Sequence, residues 1–295
     1  MAFAEIKEFF RPASSHEVVE LLTKYGGQAL ILGGGTFLHG LAARGLLPPV
    51  EALIDLQKAG LAYVRSEDGA LAIGAMTTFA ELEESGVVNS APALGAVRDA
   101  LQYPPPQIRN MATVGGCLAS ATPLFDLPVA LLALEASVSA LGPQGSRQIE
   151  LSRFFRDYFE HALEKEEFLT EIRVAANRPR SASAFLKLET NANDLALLNL
   201  GARITLDDRG LCQDARIVVG GGVGKVPARA VTSENVLKGQ RPTEDLLEQS
   251  AQAVSADVHP ISDHRASARY RTAIAKVFVK RACGQALARL GVELG

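Results

Sequence analysis

Two short stretches of glycine and threonine carry the plainest chemistry in this chain. In Ala29-Leu30-Ile31-Leu32-Gly33-Gly34-Gly35-Thr36-Phe37 an apolar run breaks into three glycines and a hydroxyl. In Met111-Ala112-Thr113-Val114-Gly115-Gly116-Cys117-Leu118-Ala119-Ser120 a second apolar entry meets paired glycines, with Thr113 in front of them. Glycine has no Cβ and tolerates positive φ, so a strand ending in glycines can turn sharply and bring its N–H groups close to a phosphate. Either stretch alone also reads as a tight structural turn. Together, two strand-to-glycine junctions with free donors could face one pyrophosphate from opposite sides, where a Rossmann fold uses a single helix N-terminus. Asp126 follows shortly, ahead of the apolar run Leu127-Pro128-Val129-Ala130-Leu131-Leu132-Ala133-Leu134. It reads as a helix N-cap, as an acceptor for a ribose hydroxyl, or as both, since a carboxylate has several lone-pair sites.

Spacing excludes the common phosphate motifs. A G-x-G-x-x-G fingerprint on Gly33 and Gly35 would need glycine at Leu38, and a Walker loop would need Gly-Lys-Ser/Thr. The run Gly220-Gly221-Gly222-Val223-Gly224-Lys225 fails as a P-loop because Val219 and Val226 hold the first-glycine and hydroxyl positions, so it reads as a turn. Cys117, Cys212 and Cys283 are widely separated and odd in number, which supplies neither a Cys-x-x-Cys metal pair nor a disulfide framework. His259 and His264 flank Pro260 without zinc spacing and read as surface or capping residues. Arg265, Arg269, Arg271, Lys276, Lys280 and Arg281 recur at helix-like intervals, as a solvated face or a surface for another subunit.

The elements that must hold these residues follow from capping and periodicity. Ser14 or Ser15 caps a helix with the stripe Val18, Val19, Leu21 and Leu22, which Gly26-Gly27 stops. The first glycine junction follows, then a turn at Pro48-Pro49 and a buried strand at Ala52-Leu53-Ile54-Asp55-Leu56. Leu71–Ala75 opens a second unit in which Thr78 caps a helix through Glu83. A helix from Ala93 to Leu101 must stop before Tyr103-Pro104-Pro105-Pro106, because proline lacks the N–H and disfavours helical geometry in its predecessor. Beyond Pro179, residues 200–206 and 215–219 read as antiparallel strands turning at Asp208-Arg209-Gly210, and helices close the chain.

The 295 residues, 47% hydrophobic and 21% charged, suffice for two ordinary cores. A formal net charge of -3 and the absence of any basic run argue against nucleic acid as a partner. Charge interrupts the N-terminal residues too early for a signal peptide, and no apolar run is long enough for a membrane span. With unpaired cysteines, this points to a cytoplasmic setting.

Gly33-Gly34-Gly35-Thr36, Gln107-Ile108-Arg109-Asn110, Ala112-Thr113-Val114-Gly115-Gly116, Asp126-Leu127-Pro128 and the run Ser262-Asp263-His264-Arg265-Ala266-Ser267-Ala268-Arg269-Tyr270-Arg271 stand here in one order. Together they resemble the FAD-binding medium subunit of molybdenum hydroxylases, the relatives of xanthine dehydrogenase and aerobic carbon monoxide dehydrogenase. The resemblance runs from Phe10-Arg11-Pro12-Ala13-Ser14 to the C-terminal helix. It implies an α+β chain with a two-lobed FAD-binding domain of the vanillyl-alcohol-oxidase (PCMH) type over residues 1–178, lobes at about 1–58 and 59–178, and a small α+β domain over 179–295.

By matching position, the resemblance implies that Leu32, Gly33, Gly34, Gly35, Thr36 and Phe37 line the first loop on the FAD diphosphate. Thr113, Gly115, Gly116, Cys117 and Ser120 form the second, and Asp126 holds the adenosine ribose. Tyr103, Leu169 and Lys187 match further FAD contacts. Three positions depart from the family pattern: Phe37 stands for aspartate or serine, Cys117 for asparagine, and Thr190-Asn191 where arginines are common. The implied function is electron transfer through FAD, with no catalytic residue and no metal site in this chain. The molybdenum cofactor and 2Fe–2S clusters belong on a molybdopterin-binding large subunit and an iron–sulfur small subunit, in a dimer of heterotrimers. Three cysteines cannot supply the roughly four thiolates of one cluster. The competing readings are a free-standing FAD oxidase of a small alcohol and a scaffold subunit that has lost FAD.

Overall fold

The computed structural model describes residues 6–176, 178–192 and 194–294; residues 1–5, read above for a signal segment, lie outside them. The first lobe comprises β1 (Glu8–Phe10), α1 (Ser15–Tyr25), β2 (Ala29–Leu32), α2 (Thr36–Ala43) and β3 (Ala52–Asp55). Its sheet is parallel, with β3 between β1 and β2. All four residues of β3 are buried, as expected for a central parallel strand. Ser14 caps α1 by accepting from the Glu17 N–H at 3.2 Å. Gly26, at φ +52°, ends the helix, and Val18 and Leu22 pack on Ile54 and Leu56.

The second lobe runs through β4 (Val64–Glu67), β5 (Ala70–Gly74), α3 (Phe79–Glu83), α4 (Gly86–Ser90), α5 (Gly95–Leu101), α6 (Pro106–Arg109), α7 (Val114–Ala119) and α8 (Asp126–Ala133). It continues with β6 (Ser137–Gly142), β7 (Gly145–Glu150), β8 (Phe155–Asp157), β9 (Glu160–His161) and β10 (Phe168–Ala175). Thr78 caps α3 as anticipated, in a reciprocal capping box with Glu81. The antiparallel sheet has the order β4-β5-β10-β6-β7, so the last strand enters the middle. Phe168 on that strand joins the first lobe's core, while Leu169 and Ile172 enter the second's.

The C-terminal part comprises β11 (Ser181–Leu188), β12 (Leu198–Leu206), β13 (Cys212–Gly220), β14 (Ala228–Arg229), α9 (Val231–Leu237), α10 (Glu244–Ala253) and α11 (Ala268–Arg289). Its sheet is antiparallel in the order β11-β12-β13-β14. Antiparallel sheets often leave one face to water. Here both are covered: Ala275, Val279 and Cys283 of α11 join one core, and α5 and α8 join another through Ala96, Ala130 and Ala133 with Phe185 and Val218. The second packing is close, since a Cβ on Gly201 would stand 3.0 Å from the Val129 carbonyl oxygen. Ser183 stitches the same seam, donating to the Ala93 carbonyl at 2.7 Å and accepting from the Ala96 N–H at 2.8 Å.

Two expectations change. Residues 107–112 do not form a strand into the second glycine pair; a short helix precedes a single bridge between Thr78 and Thr113, and Gly115 and Gly116 lie in the first turn of α7. Prolines 104–106 favour this outcome, since proline is accepted in the first turn of a helix and cannot donate to a sheet. Arg271 likewise leaves the solvated series. It is fully buried, donates to the carbonyls of Leu197 and Ala266 at 3.0 and 3.1 Å, and pairs with Asp263 at 2.9 Å.

Candidate functional site

The first glycine loop turns β2 into α2. Gly35 is the N-cap, at φ +74°. The first N–H groups of a helix have no intrahelical carbonyl to reach, and glycine has no side chain to cap them. The amides that open α2, from Thr36 on, are thus directed outward at the positive end of the helix dipole, an arrangement suited to an anion.

The second loop presses against the first. A Cβ on Gly33 would stand 2.8 Å from the Thr113 hydroxyl, and one on Gly34 would overlap the Met111 carbonyl oxygen outright. On the other side, a Cβ on Gly115 would come within 2.6 Å of the Ala75 Cβ. Gly33 and Gly34 are required by the packing of one loop on the other, and Gly115 by the packing of the second loop on Ala75. The expectation of free donors in both loops is corrected. Val114 N–H donates to Thr77 (2.9 Å), Gly115 N–H to Ala75 (2.8 Å), Gly116 N–H to the Thr113 hydroxyl (3.2 Å) and Cys117 N–H to Thr113 (2.9 Å). The second loop still offers the hydroxyl proton of Thr113, which accepts from Gly116 and remains free to donate.

A polar cluster lies where α8 meets the C-terminal sheet. Asp126 opens α8 but does not cap it; its Oδ1 accepts from Asn199 Nδ2 at 2.8 Å and its Oδ2 pairs with Lys187 Nζ at 3.0 Å. Lys187 and Asn199 are register partners on β11 and β12, which explains their common target. Lys187 also lies 5.3 Å from the centre of the Tyr103 ring, and its N–H donates to the Tyr103 hydroxyl at 3.2 Å. Burial raises the Asp126 carboxyl above the usual range, outweighing Lys187 and Asn199, which act to lower it. Two buried acceptors have no hydrogen-bond partner among the described residues: Asn199 Oδ1 and Glu189 Oε2. The latter is 3.0 Å from Lys187 Nζ, an ion pair without hydrogen-bond alignment.

Of the residues singled out in the sequence, the fold brings together the first loop, Thr113 and its glycines, and, in one cluster, Tyr103, Asp126 and Lys187. Ser120 is buried behind the second loop and donates to the Cys117 carbonyl at 2.7 Å. The Cys117 and Leu169 side chains are buried in the second-lobe core, and burial raises the Cys117 thiol far above its ordinary range. Leu169 nonetheless adjoins the loop through backbone, because Thr170 O accepts from Ala75 N, and Ala75 O from Gly115 N, at 2.9 and 2.8 Å. Asn199 and Glu189 carry no sequence signal of their own: Asn199 meets Lys187 only as its register partner once β11 and β12 pair, and Glu189 lies just past the end of β11. Thr190-Asn191 follows β11, where the Asn191 N–H donates to Asp194 at 3.1 Å.

Outward amides at a helix N-terminus, an adjoining hydroxyl and the buried Asn199 Oδ1, unpartnered among the described residues, fit a diphosphate flanked by hydroxylated sugar. Together with the fold they define a two-lobed flavin-dinucleotide protein. Residues 3–176 match the family described as "FAD binding domain in molybdopterin dehydrogenase", and residues 183–286 match "CO dehydrogenase flavoprotein C-terminal domain". The chain belongs to this family of FAD-binding flavoproteins, and its α+β architecture is that of the PCMH type with a small C-terminal domain. The 6-hydroxypseudooxynicotine dehydrogenase complex subunit alpha of Paenarthrobacter nicotinovorans is 33% identical over 94% of this chain and 93% of its own length. The carbon monoxide dehydrogenase medium chain of Afipia carboxidovorans is 33% identical over 96% of this chain and 97% of its own. The solved carbon monoxide dehydrogenase of Hydrogenophaga pseudoflava superposes with a TM-score of 0.90 at 32% identity, covering 96% of this chain and 98% of that one.

Proposed function

We propose that this chain is the flavin subunit of a molybdenum-containing hydroxylase or dehydrogenase, taking electrons from iron–sulfur centres on a partner chain and passing them to an external acceptor. The observation that carries the reading is the packing of the two glycine loops against each other beside the N-terminus of α2, in a chain that follows a carbon monoxide dehydrogenase medium chain over 96% of its length. Bound FAD supplies one- and two-electron chemistry. The outward amides of α2 and the Thr113 hydroxyl hold its diphosphate. Asp126, kept in place by Lys187 and Asn199, accepts from a ribose hydroxyl through its remaining lone pairs, and Tyr103 packs beside the same cluster. Leu32 through Phe37, Gly115, Gly116, Cys117, Ser120 and Leu169 complete the site, the last four through backbone or packing.

The molybdenum and iron–sulfur centres are assigned to a large and a small partner subunit, in a dimer of heterotrimers. That partner chains exist is supported by the names of the relatives, one a subunit of a dehydrogenase complex and another a medium chain, and the three cysteines here stand as separate buried thiols. We place the chain in the cytoplasm, consistent with those free thiols; among the described residues no helix is long and apolar enough to cross a membrane.

Acid precipitation of the purified chain should release all its flavin, because no residue is assigned to covalent attachment; flavin absorbance left in the pellet would contradict this. In the reconstituted complex, stopped-flow spectra should show flavin bleaching after the iron–sulfur bands bleach. With partners omitted, the same substrate should leave the flavin oxidised. Bleaching of the isolated chain at the complex's turnover rate would instead favour a free-standing oxidase, and a chain that takes up no FAD would favour a scaffold.

A further inference from the structure

Phe159, at the tip between β8 and β9, is 61% exposed and sits at φ +59°, a conformation in which a side chain is strained. Its N–H donates to the carbonyl of Ala121 at 3.1 Å, and Ala121 is itself at φ +43°. Two strained residues thus hold one aromatic ring out toward solvent. The hairpin is also tied to the C-terminal glycine turn by Lys225 Nζ, 2.6 Å from Asp157 Oδ2. The ring nevertheless has a defined partner: it stacks on Phe37, with centroids 6.3 Å apart and planes 23° from parallel. Phe37 in turn meets Phe125 edge to face at 6.0 Å. Phe37 lies in the first turn of α2, beside the outward amides, and Phe125 immediately precedes Asp126.

We propose that Phe159 and Phe37 form an aromatic wall that stacks on the adenine ring of the cofactor. The assignment rests on the reading of the paired loops as a FAD site. It selects the adenine end because Phe125 joins the wall directly to Asp126, the proposed holder of the adenosine ribose. An exposed aromatic ring held by strained backbone is explained if a second flat ring covers it, and base–aromatic stacking contributes enough to offset such strain.

The test uses the full-length chain stripped of flavin, titrated calorimetrically with FAD, ADP and FMN. Phe159→Ala is expected to weaken FAD and ADP alike by about tenfold, the usual scale for removing one stacking ring. FMN binding should be unchanged, and Phe159→Tyr should restore wild-type affinity. Phe159→Gly removes the ring while relieving the positive φ, so it should melt no lower than wild type yet show the same loss of ADP affinity. Folded variants that bind FAD and ADP within twofold of wild type would overturn the wall, and a loss confined to FMN and FAD would overturn the adenine assignment. A wild-type chain that binds neither FAD nor ADP would instead defeat the underlying FAD reading.

Discussion

Gly34→Ala is expected to strip the flavin from the purified chain and lower its melting temperature together. A Cβ at this position would overlap the Met111 carbonyl oxygen, a backbone atom that no rotamer change can move aside. Overpacking of this kind costs about 1–3 kcal/mol, and here the relief comes from prising the first loop off the second. If that separation is charged to cofactor binding, FAD affinity falls by roughly tenfold to a hundredfold, since about 1.4 kcal/mol is a factor of ten. Gly35→Ala is the contrasting variant. Its added methyl would meet only the Leu32 Cδ1 at 3.3 Å, but the φ of +74° costs an L-residue roughly 1–2 kcal/mol without driving the loops apart. Flavin-to-protein ratio and thermal melting, measured on both, separate the cases. A Gly34→Ala chain with full flavin and an unchanged melting temperature would show that the loops do not need their present contact.

Lys187→Met should be the most destabilising change in the polar cluster. It leaves the buried Asp126 and half-buried Glu189 carboxylates without their shared cation, and losing one partner of a buried ion pair such as Lys187–Asp126 costs about 3–5 kcal/mol. The effect depends on pH with a definite sign. Burial already holds the Asp126 carboxyl above its ordinary range, so the contribution of this group to stability is present below its unfolded pKa and is lost as pH rises through the folded one. Removing Lys187 removes a charge that favours ionisation and pushes that carboxyl higher still. The deficit measured by urea unfolding should therefore be largest at neutral and alkaline pH. It should shrink as pH falls toward the unfolded carboxylate range near about 4. A deficit independent of pH would mean that Lys187 acts through packing alone.

The elements with local causes were legible in the sequence. Ser14, one of the two serines that could cap α1, and Thr78 cap their helices, because an N-cap needs only a hydroxyl and an amide three residues on. The C-terminal strand pair was visible because alternation and an Asp-Arg-Gly turn are local too. The glycine run after Leu32, the Thr113-Gly115-Gly116 group and Asp126, read in order, were enough to point to the cofactor class and the family.

What the sequence could not settle was which atoms are still free to bind. Glycine reports that a Cβ is excluded, but not by what: at Gly34 it is the protein's own Met111 carbonyl, and the amides of Gly115 and Gly116 are spent inside the second lobe. Asp126 read equally as a cap or a ribose acceptor until β11 and β12, more than fifty residues on, paired and set Lys187 and Asn199 against its carboxylate. Arg271 belonged by spacing to an exposed basic face, yet the fold buries it among carbonyls and Asp263. Residue types and short spacings determined the elements, the family and the cofactor class, because those depend on chemistry within a few residues. Only the tertiary structure decided which donors remain open and which charges are paired, because a hydrogen-bonding group's availability is set by whatever distant segment packs against it.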